Sequence, residues 1–535
     1  MLQSKKIGQP VYFMKLLTSL SRKSPYLFFA LLVLASVIVL LLNCTQIWSF
    51  TIDDAFITFR YSKNVVMGIG PTFNGTGLHA EGYTSFLWML VMTLPHFLNF
   101  GVESFAKLAG ILATLGTMAC MGLFLWQAGS PDWRGYRIVA AGLVIFILGL
   151  LPETAVHAVS GMETASYTLL LTLLVTLIFL AVKGKNWAVN WTPPIALLTG
   201  LMRPEANLVA VIMLMVVVLS VSQKKKFLLR VGLFYILPGA LYFIWRWSYF
   251  GVFFPLPFYL KSGVLGLVGQ ETVLPFLAFL MANVGLYVGI GLFGERKAVL
   301  ILLLAALPNI FFFLFSKPIM NYDFRFLYPL LPVGLILAGI GLATLMGKAE
   351  TWVIDLRWKW VAPVCIALFS ILMFLGQNMS RASAVFGPLQ EYARGMSQDH
   401  HVIGKVLNQI PHTNTSPVLA VTDAGAIPYF SGWNTVDCWG LNDPNIALGR
   451  VQPVDYTFNQ NPEVLVLSST DLNAFHNDSV LGQSLYKRAI DRGMQVVVRV
   501  PSFYGDSIWV LTQPGGAAAE KLSAAFAGQM QLSSP

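Results

Sequence analysis

Long apolar segments constrain this chain more than any other feature. Of its 535 residues, 56% are hydrophobic and 11% are charged, whereas soluble globular chains carry about 25% charged residues. The apolar residues fall in roughly eleven blocks long enough to cross a bilayer as helices. These blocks lie near 26–48, 106–127, 136–152, 164–182, 187–202, 206–222, 229–249, 273–292, 297–316, 326–346 and 359–377. The sequence therefore predicts an α-helical polytopic membrane protein.

The start of the chain is predicted to be an uncleaved first span. Basic residues, among them Lys5, Lys6 and Arg22, precede an apolar run over 26–42. That run is longer than the apolar part of a secretory signal, and no small-residue cleavage site follows it. Because basic residues favour the cytoplasmic side, we expect a cytoplasmic N-terminus.

One further apolar segment, 84–100, decides how the spans alternate. It is short and contains Pro95 and His96. If it lies in the membrane interface, nearly all basic loop clusters fall on the cytoplasmic side, whereas a crossing would turn the later clusters outward. The clusters are Arg134 with Arg137, Lys183 with Lys185, Lys224 to Lys226 with Arg230, Arg296 with Lys297, and Lys348 with Arg357 and Lys359. We therefore expect about eleven spans in a bacterial inner membrane, with the C-terminal end on the periplasmic side.

The chain changes character after about residue 377. Short β-rich runs then alternate with helical stretches and polar turns, which predicts a small periplasmic α/β domain. The predicted organisation is a membrane domain, 1–377, followed by a periplasmic domain, 378–535. Predicted strands lie at 418–421, 464–467, 496–500 and 507–511, and predicted helices lie near 401–409 and 484–492. The Ala/Gly/Ser-rich tail from Gly515 is expected to fray.

Charge and cysteine content narrow the function classes. The net charge is +10, but the basic residues sit in short loops rather than in a groove with interleaved aromatics, so nucleic acid is not an expected partner. None of the four cysteines forms a CxxC pair, which argues against a structural zinc site. Cys44 and Cys438 could both face an oxidising compartment, and a bridge between them stays open.

The first outer loop, 49–105, holds an unusual pair of acidic residues. Asp53 and Asp54 are adjacent carboxylates just past a span, where they need water, a cation or a positive partner. Arg60 follows on the same predicted helix and could be such a partner. One of the two Asp residues could instead cap that helix, which would leave the other Asp and Glu81 unexplained.

The other outer loops each present a carboxylate, a cation or both. These groups could pair with one another and hold the loops together, or they could form a site. Glu153 and His157 are one helical turn apart and could bind a metal, although no further His lies nearby in the sequence. The remaining charged groups are Glu163, Arg203, Glu205, Arg246, Lys261, Asp323 and Arg325.

Glycosyl transfer from a lipid phosphate would use this set of residues. A carboxylate can take the proton of the acceptor hydroxyl, and Arg or Lys can hold the departing phosphate. No general acid is needed, because the phosphate leaves as a stable anion. The sequence contains no nucleotide-binding loop and identifies no cofactor, while a divalent cation at Asp53 and Asp54 stays open.

The same residues resemble a known superfamily. The run DDAFITFRYSKNVVMGIGPTFN, followed by EGYTSFLWML, resembles the first outer loop of the GT-C superfamily of polyprenyl-phosphate-sugar glycosyltransferases. It is similar, more narrowly, to the mycobacterial terminal β-(1→2)-arabinofuranosyltransferase family and its proteobacterial relatives. Further similar segments follow in order: VSGMETA, LMRPEA, YFGVFFPLPFYLKSG, DFRFLYPLLP and TDAGAIPYFSG with VDCWGLNDPNIA. The resemblance implies a GT-C fold, interfacial helices in the first outer loop and a donor groove that opens to the bilayer.

The resemblance also implies roles for individual residues. Asp53 and Asp54 fall on the family's acidic motif, where Asp53 is the favoured base and Asp54 shapes the site or binds a cation. The expected donor-phosphate or substrate-binding residues are Arg60, Glu81, Tyr83, Glu163, Arg203, Glu205, Lys261 and Arg325. In the C-terminal domain, the residues that face the acceptor or form ordinary turns are Asp423, Asp437, Asn442 and Asp443.

The expected function is therefore inverting transfer of a sugar from a polyprenyl-phosphate donor at the periplasmic face. Arabinofuranose is the candidate sugar, and an envelope glycan, a lipid or a surface protein is the expected acceptor. The alternative is a membrane transporter or a flippase for lipid-linked glycans, which predicts charges near the middle of the bilayer and repeated halves. Charges at helix ends, without an internal repeat, favour the transferase.

Overall fold

A computed structural model of the chain describes residues 10–77, 79–129, 133–261, 267–317, 319–352, 361–410 and 417–530. Each of the eleven predicted spans coincides with a helix or with a pair of helices in line. The helices of the membrane part are α1 Pro10–Gln46, α2 Asp53–Val66, α3 Phe86–Val91, α4 Thr93–Phe97, α5 Val102–Gln127, α6 Arg134–Leu150, α7 Pro152–Val159, α8 Thr164–Val182, α9 Asn186–Met202, α10 Ala206–Ser220, α11 Lys224–Val231, α12 Leu237–Phe250, α13 Leu256–Lys261, α14 Gln270–Gly291, α15 Arg296–Leu314, α16 Leu331–Trp352 and α17 Val361–Gln398.

Not all of these helices are long enough to cross a bilayer alone. Within the described ranges, eight helices are long and apolar enough, or nine if the bent pair α6 and α7 forms one span. The helices α9 and α10 have 17 and 15 residues and pack against each other and against α8. A π-helical turn joins α11 to α12, and the two run together as one span.

The segment 84–100 does not form a spanning helix. It contains two short helices, α3 and α4, which pack against α2. About 12 helical residues extend roughly 18 Å, well short of the roughly 30 Å of a hydrocarbon core. Leu94 and Phe97 are exposed on this segment, as expected for helices that lie in an interface.

The C-terminal domain is a five-stranded sheet with helices packed on it. The strand order is β2-β1-β3-β5-β4, with β1 parallel to β2 and β3, and β5 antiparallel to β3 and β4. The strands are β1 Val418–Val421, β2 Asn434–Asp437, β3 Val464–Ser469, β4 Gln495–Pro501 and β5 Ser507–Thr512. The helices are α18 His400–Asn408, α19 Ala426–Ser431, α20 Pro444–Ala447, α21 Pro453–Asn459, α22 Val480–Asp491 and α23 Ala517–Met530.

Three features of this domain depart from the sequence-based expectations. The strand β2 was not predicted. The tail after Gly515 is not frayed over 517–530 but forms α23, whose Ala518, Leu522 and Phe526 are buried. The proposed boundary at 377 lies inside α17, which continues unbroken from the bundle to the domain.

The cysteines are not bridged. Cys44 and Cys438 are both free and buried, Cys44 in the core of the helical bundle and Cys438 in the core between sheet and helices. Because the two thiols belong to separate hydrophobic cores, the open question of a disulfide between them is answered against it.

Candidate active site

The acidic pair opens α2 directly. Asp53 and Asp54 are the first two residues of this helix, and the backbone N–H of Ile52 before them donates to Ser160 O at 3.1 Å. Carboxylates in the first turn are stabilised by the positive end of the helix dipole. Successive helical residues point about 100° apart, so the two carboxylates meet different surroundings.

Asp53 forms hydrogen bonds with the C-terminal domain. Its Oδ1 accepts the N–H of Ala426 at 2.8 Å, its Oδ2 accepts the N–H of Gly425 at 3.0 Å, and its own N–H donates to Tyr392 Oη at 2.9 Å. Burial raises the pKa of Asp53 to about 7, against an opposing effect of the nearby His400. Both carboxylate oxygens are thus engaged with the N-terminal turn of α19.

Asp54 faces a cleft instead. Its Oδ2 lies 3.9 Å from Arg325 Nη1, and its side chain is 25% exposed. We call this space the Asp54 cleft. It is lined by Asp54, Ile57, Thr58, Gly82, Tyr83, Thr84, Ser85, Met162, Glu163, Pro257, Arg325 and Leu441.

A chain of alternating charges leads from α10 to this cleft. Arg203 pairs with Glu205 and, through Nη1, with Glu163 Oε1 at 2.5 Å. The same Glu163 oxygen lies 3.3 Å from Arg325 Nη2, and Arg325 in turn reaches Asp54. Although burial alone would raise it, the pKa of Glu163 is lowered by Arg325 and Arg203. Glu163 therefore stays ionised and fixes Arg325 at the edge of the cleft.

Two residues of the EGYT motif have separate surroundings. Glu81 forms a buried two-pronged ion pair with Arg246, with Nε 3.0 Å from Oε1 and Nη2 2.5 Å from Oε2. Tyr83 lines the Asp54 cleft, and its hydroxyl has no hydrogen-bond partner within the described part of the chain. Glu81 thus orients an arginine, while Tyr83 is a buried part of the wall of the cleft.

Arg60, which the sequence analysis predicts to bind a ligand, contacts backbone carbonyls in the structure. Arg60 is buried and donates to Phe73 O at 2.7 Å and to Trp433 O at 2.7 Å, and it also contacts Pro428 O. Its guanidinium lies 4.4 Å from the ring centre of Phe73. Because backbone carbonyls occupy its donors, Arg60 joins the first loop to the domain and does not reach the cleft.

Glu153 and His157, suggested as a metal pair, each contact another residue. Glu153 pairs with Arg381, and His157 Nε2 lies 2.8 Å from the carbonyl oxygen of Asp323. Among the residues that the structure describes, no group of three His, Cys, Asp or Glu side chains is placed to hold a metal. The side chain of Lys261, predicted to bind phosphate, lies outside the described part of the chain.

Side chains of Asp437 and Asp443 stabilise two turns of the C-terminal domain. Asp437 accepts the N–H groups of Trp439 and Asn442, and Asp443 caps α20. Asp423 is half-buried, and its Oδ2 lies 3.5 Å from His400 Nε2. Asp437, Asn442 and Asp443 therefore stabilise turns, and their role towards the acceptor stays a prediction.

The domain nevertheless reaches the cleft through one of these turns. Tyr61 Oη accepts the N–H of Gly82 at 2.9 Å and lies 3.1 Å from Asn442 Oδ1. A Cβ at Gly82 would lie 1.9 Å from that amide oxygen, so the glycine permits the close approach. Leu441, in the same turn, lines the cleft, and no pattern in the sequence indicates this role.

Comparisons with known proteins agree with the two-part architecture. A family model described as a domain of unknown function (DUF8728) matches residues 390–512. The terminal β-(1→2)-arabinofuranosyltransferase of Mycobacterium tuberculosis is 27% identical over 226 residues. That match covers 38% of this chain and only 33% of the mycobacterial protein.

Solved structures match over most of the chain. ArnT from Cupriavidus metallidurans, crystallised with undecaprenyl phosphate, has a TM-score of 0.54 at 12% identity and covers 91% of this chain and 97% of its own. AglB, the oligosaccharyltransferase of Archaeoglobus fulgidus, solved with an inhibitory peptide and a dolichol-phosphate, has a TM-score of 0.54 at 12% identity over 84% of this chain and 69% of its own. The chain therefore shares the fold of ArnT and AglB, with a membrane helical bundle joined to a small α/β domain.

Proposed function

We propose that this protein transfers a sugar from a polyprenyl-phosphate donor to a hydroxyl acceptor in the Asp54 cleft. The observation that carries the proposal is the placement of the Asp54 carboxylate 3.9 Å from the Arg325 guanidinium. A proton acceptor and an anion-binding donor thus lie side by side at the end of a membrane bundle.

The reaction needs both groups at the same moment. The acceptor oxygen attacks the anomeric carbon, the bond from that carbon to the phosphate oxygen breaks, and the acceptor proton passes to Asp54. Negative charge grows on the departing phosphate, where Arg325 donates hydrogen bonds. Attack on the side opposite the leaving group makes the transfer inverting. Polyprenyl phosphate leaves as an anion and needs no acid.

Asp54 rather than Asp53 is the base in this proposal. Both oxygens of Asp53 accept backbone N–H groups of the domain, whereas Asp54 lines the cleft with Glu163 and Arg325. A base must lie within hydrogen-bond reach of the acceptor hydroxyl; of the two carboxylates that line the cleft, Glu163 is paired with Arg203 and Arg325, so Asp54 is the proposed base. Asp53 positions the helix α2, which carries Asp54.

Two solved structures with the same fold suggest the class of donor. ArnT was crystallised with undecaprenyl phosphate and AglB with a dolichol-phosphate, and both share the fold of this chain. The similarity to an arabinofuranosyltransferase makes polyprenyl-phosphate-linked arabinofuranose the first donor to test. The acceptor class is an envelope glycan, a lipid or a surface protein on the periplasmic side of the inner membrane.

The proposal is tested by transfer in vitro. Purified protein in liposomes receives a radiolabelled polyprenyl-phosphate sugar and envelope material from a deletion strain. We expect Asp54→Asn to lower transfer by at least 100-fold, on the order of the loss of a positioned base. Asp455→Asn is the matched control, because Asp455 is an exposed residue of the domain that pairs with Arg488. Full transfer by Asp54→Asn would refute its role.

A cell-based measurement tests the activity without a known acceptor. Mass spectrometry of envelope glycans from a deletion strain should show a missing sugar residue. Complementation with the wild-type gene should restore it, and complementation with the Asp54→Asn gene should not. Unchanged glycans in the deletion strain would contradict the proposed function.

A further inference from the structure

A second charged cavity lies at the end of the bundle opposite the Asp54 cleft. The helix α8 begins next to Glu163 in the cleft and ends next to Lys183, and 19 helical residues span about 28 Å. Lys183 and Lys348 line this cavity, which has a volume of about 430 Å³. We call it the basic cavity.

Cations outnumber carboxylates in the basic cavity. Arg137, Lys183 and Lys348 line it, and Glu295 is the acidic residue among its described lining. Glu295 is already engaged, since its Oε1 lies 2.9 Å from Lys183 Nζ and its Oε2 accepts the N–H of Gly129 at 2.7 Å. Arg137 and Lys348 therefore leave a positive excess.

Arg137 is buried, and one of its N–H groups has no acceptor in the described part of the chain. It is 8% exposed, and its Nη1 donates to Trp126 O at 3.2 Å and to Ala128 O. Its Nε is buried without an acceptor in the described part of the chain. Leaving a buried donor of a charged group unsatisfied is costly, so the Arg137 guanidinium retains an unpaired donor beside the cavity.

The walls of the cavity favour a lipid over a free anion. Leu125 and Ile340 line it from the spans α5 and α16 and are themselves buried, whereas Phe293, which also lines it, is 90% exposed. A soluble phosphate gains nothing from an exposed apolar ring, whereas an acyl chain of a phospholipid buries it. Basic pockets between spanning helices are a recurrent form of anionic headgroup site.

We propose that the basic cavity binds the phosphate of an anionic phospholipid between Arg137, Lys183 and Lys348. The phosphate lies among the three cations, and an acyl chain packs against the exposed Phe293. The sequence predicts the cytoplasmic side for these basic loops, where anionic lipids attract such residues. The site is independent of the transferase chemistry at the other end of the bundle.

Native mass spectrometry of the full-length protein tests the proposal. The protein is titrated with phosphatidylglycerol and, separately, with phosphatidylethanolamine of identical acyl chains. We expect the wild type to retain phosphatidylglycerol preferentially and Lys348→Glu to bind it about tenfold more weakly, because Lys348 is exposed at the cavity and its charge is reversed. Lys225→Glu is the matched control, an exposed lysine of α11 at the same end but outside the cavity.

Each outcome decides the question. Equal weakening by Lys348→Glu and Lys225→Glu, or equal retention of the two lipids, would overturn the proposal. Inorganic phosphate that displaces the lipid at equal concentration would show a free-anion site and would also overturn it. If Lys348→Glu does not fold, Lys348→Gln gives the same comparison with a smaller expected change.

Discussion

The Oδ1 atom of Asp53 accepts the backbone N–H of Ala426 at 2.8 Å, across 373 residues of sequence. This bond and its neighbour at Gly425 fasten the first loop of the membrane part to the C-terminal domain. Because Asp54 is the next residue on the same helix, the contact also sets the direction of the carboxylate in the cleft. The domain therefore takes part in building the site.

Adding one methyl group at Gly425 should break this contact. A Cβ at Gly425 would lie 2.4 Å from Asp53 Oδ2 and 2.1 Å from Asp53 O, so Asp53 or α19 must move. We expect Gly425→Ala to lower transfer activity more than tenfold, since small misplacements of catalytic groups cost that much, and to speed hydrogen exchange across α19. Gly387→Ala is the control, because no atom lies within 4 Å of its added methyl group. Wild-type activity in Gly425→Ala would contradict the positioning role.

The contact should also make stability depend on pH. The pKa of Asp53 is about 7 in the folded chain and 3.8 in its ordinary environment, so the folded state binds the proton more tightly. The stability contribution of the protonated group is complete below 3.8 and is lost as the pH rises through about 7. Between these values the free energy of unfolding should fall by at most about 1.4 kcal/mol per pH unit.

Asp53→Asn isolates this effect from other titrating groups. The amide mimics the protonated acid, so the variant should lose the part of the pH slope that Asp53 supplies. Melting temperatures of both proteins, measured from pH 4 to pH 8, give the comparison. Parallel curves for the two proteins would show that Asp53 does not titrate in this range.

Helix positions and strand runs could be predicted because local composition determines them. The apolar blocks and the β-branched runs of β1, β3, β4 and β5 are continuous in the sequence. The strand β2, with the sequence NTVD, is short and has three polar residues among its four, and its pairing with β1 is visible only in three dimensions. The helix α23 was not predicted for a related reason. Its alanines favour a helix, but Phe526 is buried because α23 packs against β4 and α18, which are distant in sequence.

Charged residues could be predicted as a group but their partners could not. The sequence indicated that carboxylates and cations gather in the outer loops, and the structure brings Asp54, Glu163 and Arg325 together. Glu81 and Arg246 are 165 residues apart, and no local pattern joins them. The choice between Asp53 and Asp54 likewise depends on where the N-terminal turn of α19 lies.

Substitutions of the two arginines that contact Glu163 can separate an effect on stability from an effect on catalysis. Arg203→Gln and Arg325→Gln each remove one of the two arginines that contact Glu163. Because both leave a buried carboxylate with one cation fewer, each should destabilise the protein by up to about 3–5 kcal/mol. Only Arg325 lines the cleft, so Arg325→Gln should in addition lower kcat by about 100-fold.

The two variants are compared by thermal unfolding and by initial transfer rates. Similar melting temperatures with a much slower Arg325→Gln enzyme would support the assignment of Arg325 to the leaving phosphate. Equal rates in the two variants would mean that Arg325 only holds Glu163 in place.

The C-terminal helix should be essential for the stability of the domain. Phe526 is fully buried in the core that also contains Val498 and Val500 of β4, so Phe526→Ala removes a large side chain and leaves a cavity. Such substitutions cost about 3–5 kcal/mol, and the amides of β4 should exchange with deuterium correspondingly faster. Ala525→Ser is the control, because Ala525 is exposed one position earlier on the same helix. Unchanged exchange in Phe526→Ala would mean that α23 does not stabilise the sheet in solution, and the domain would then end at β5.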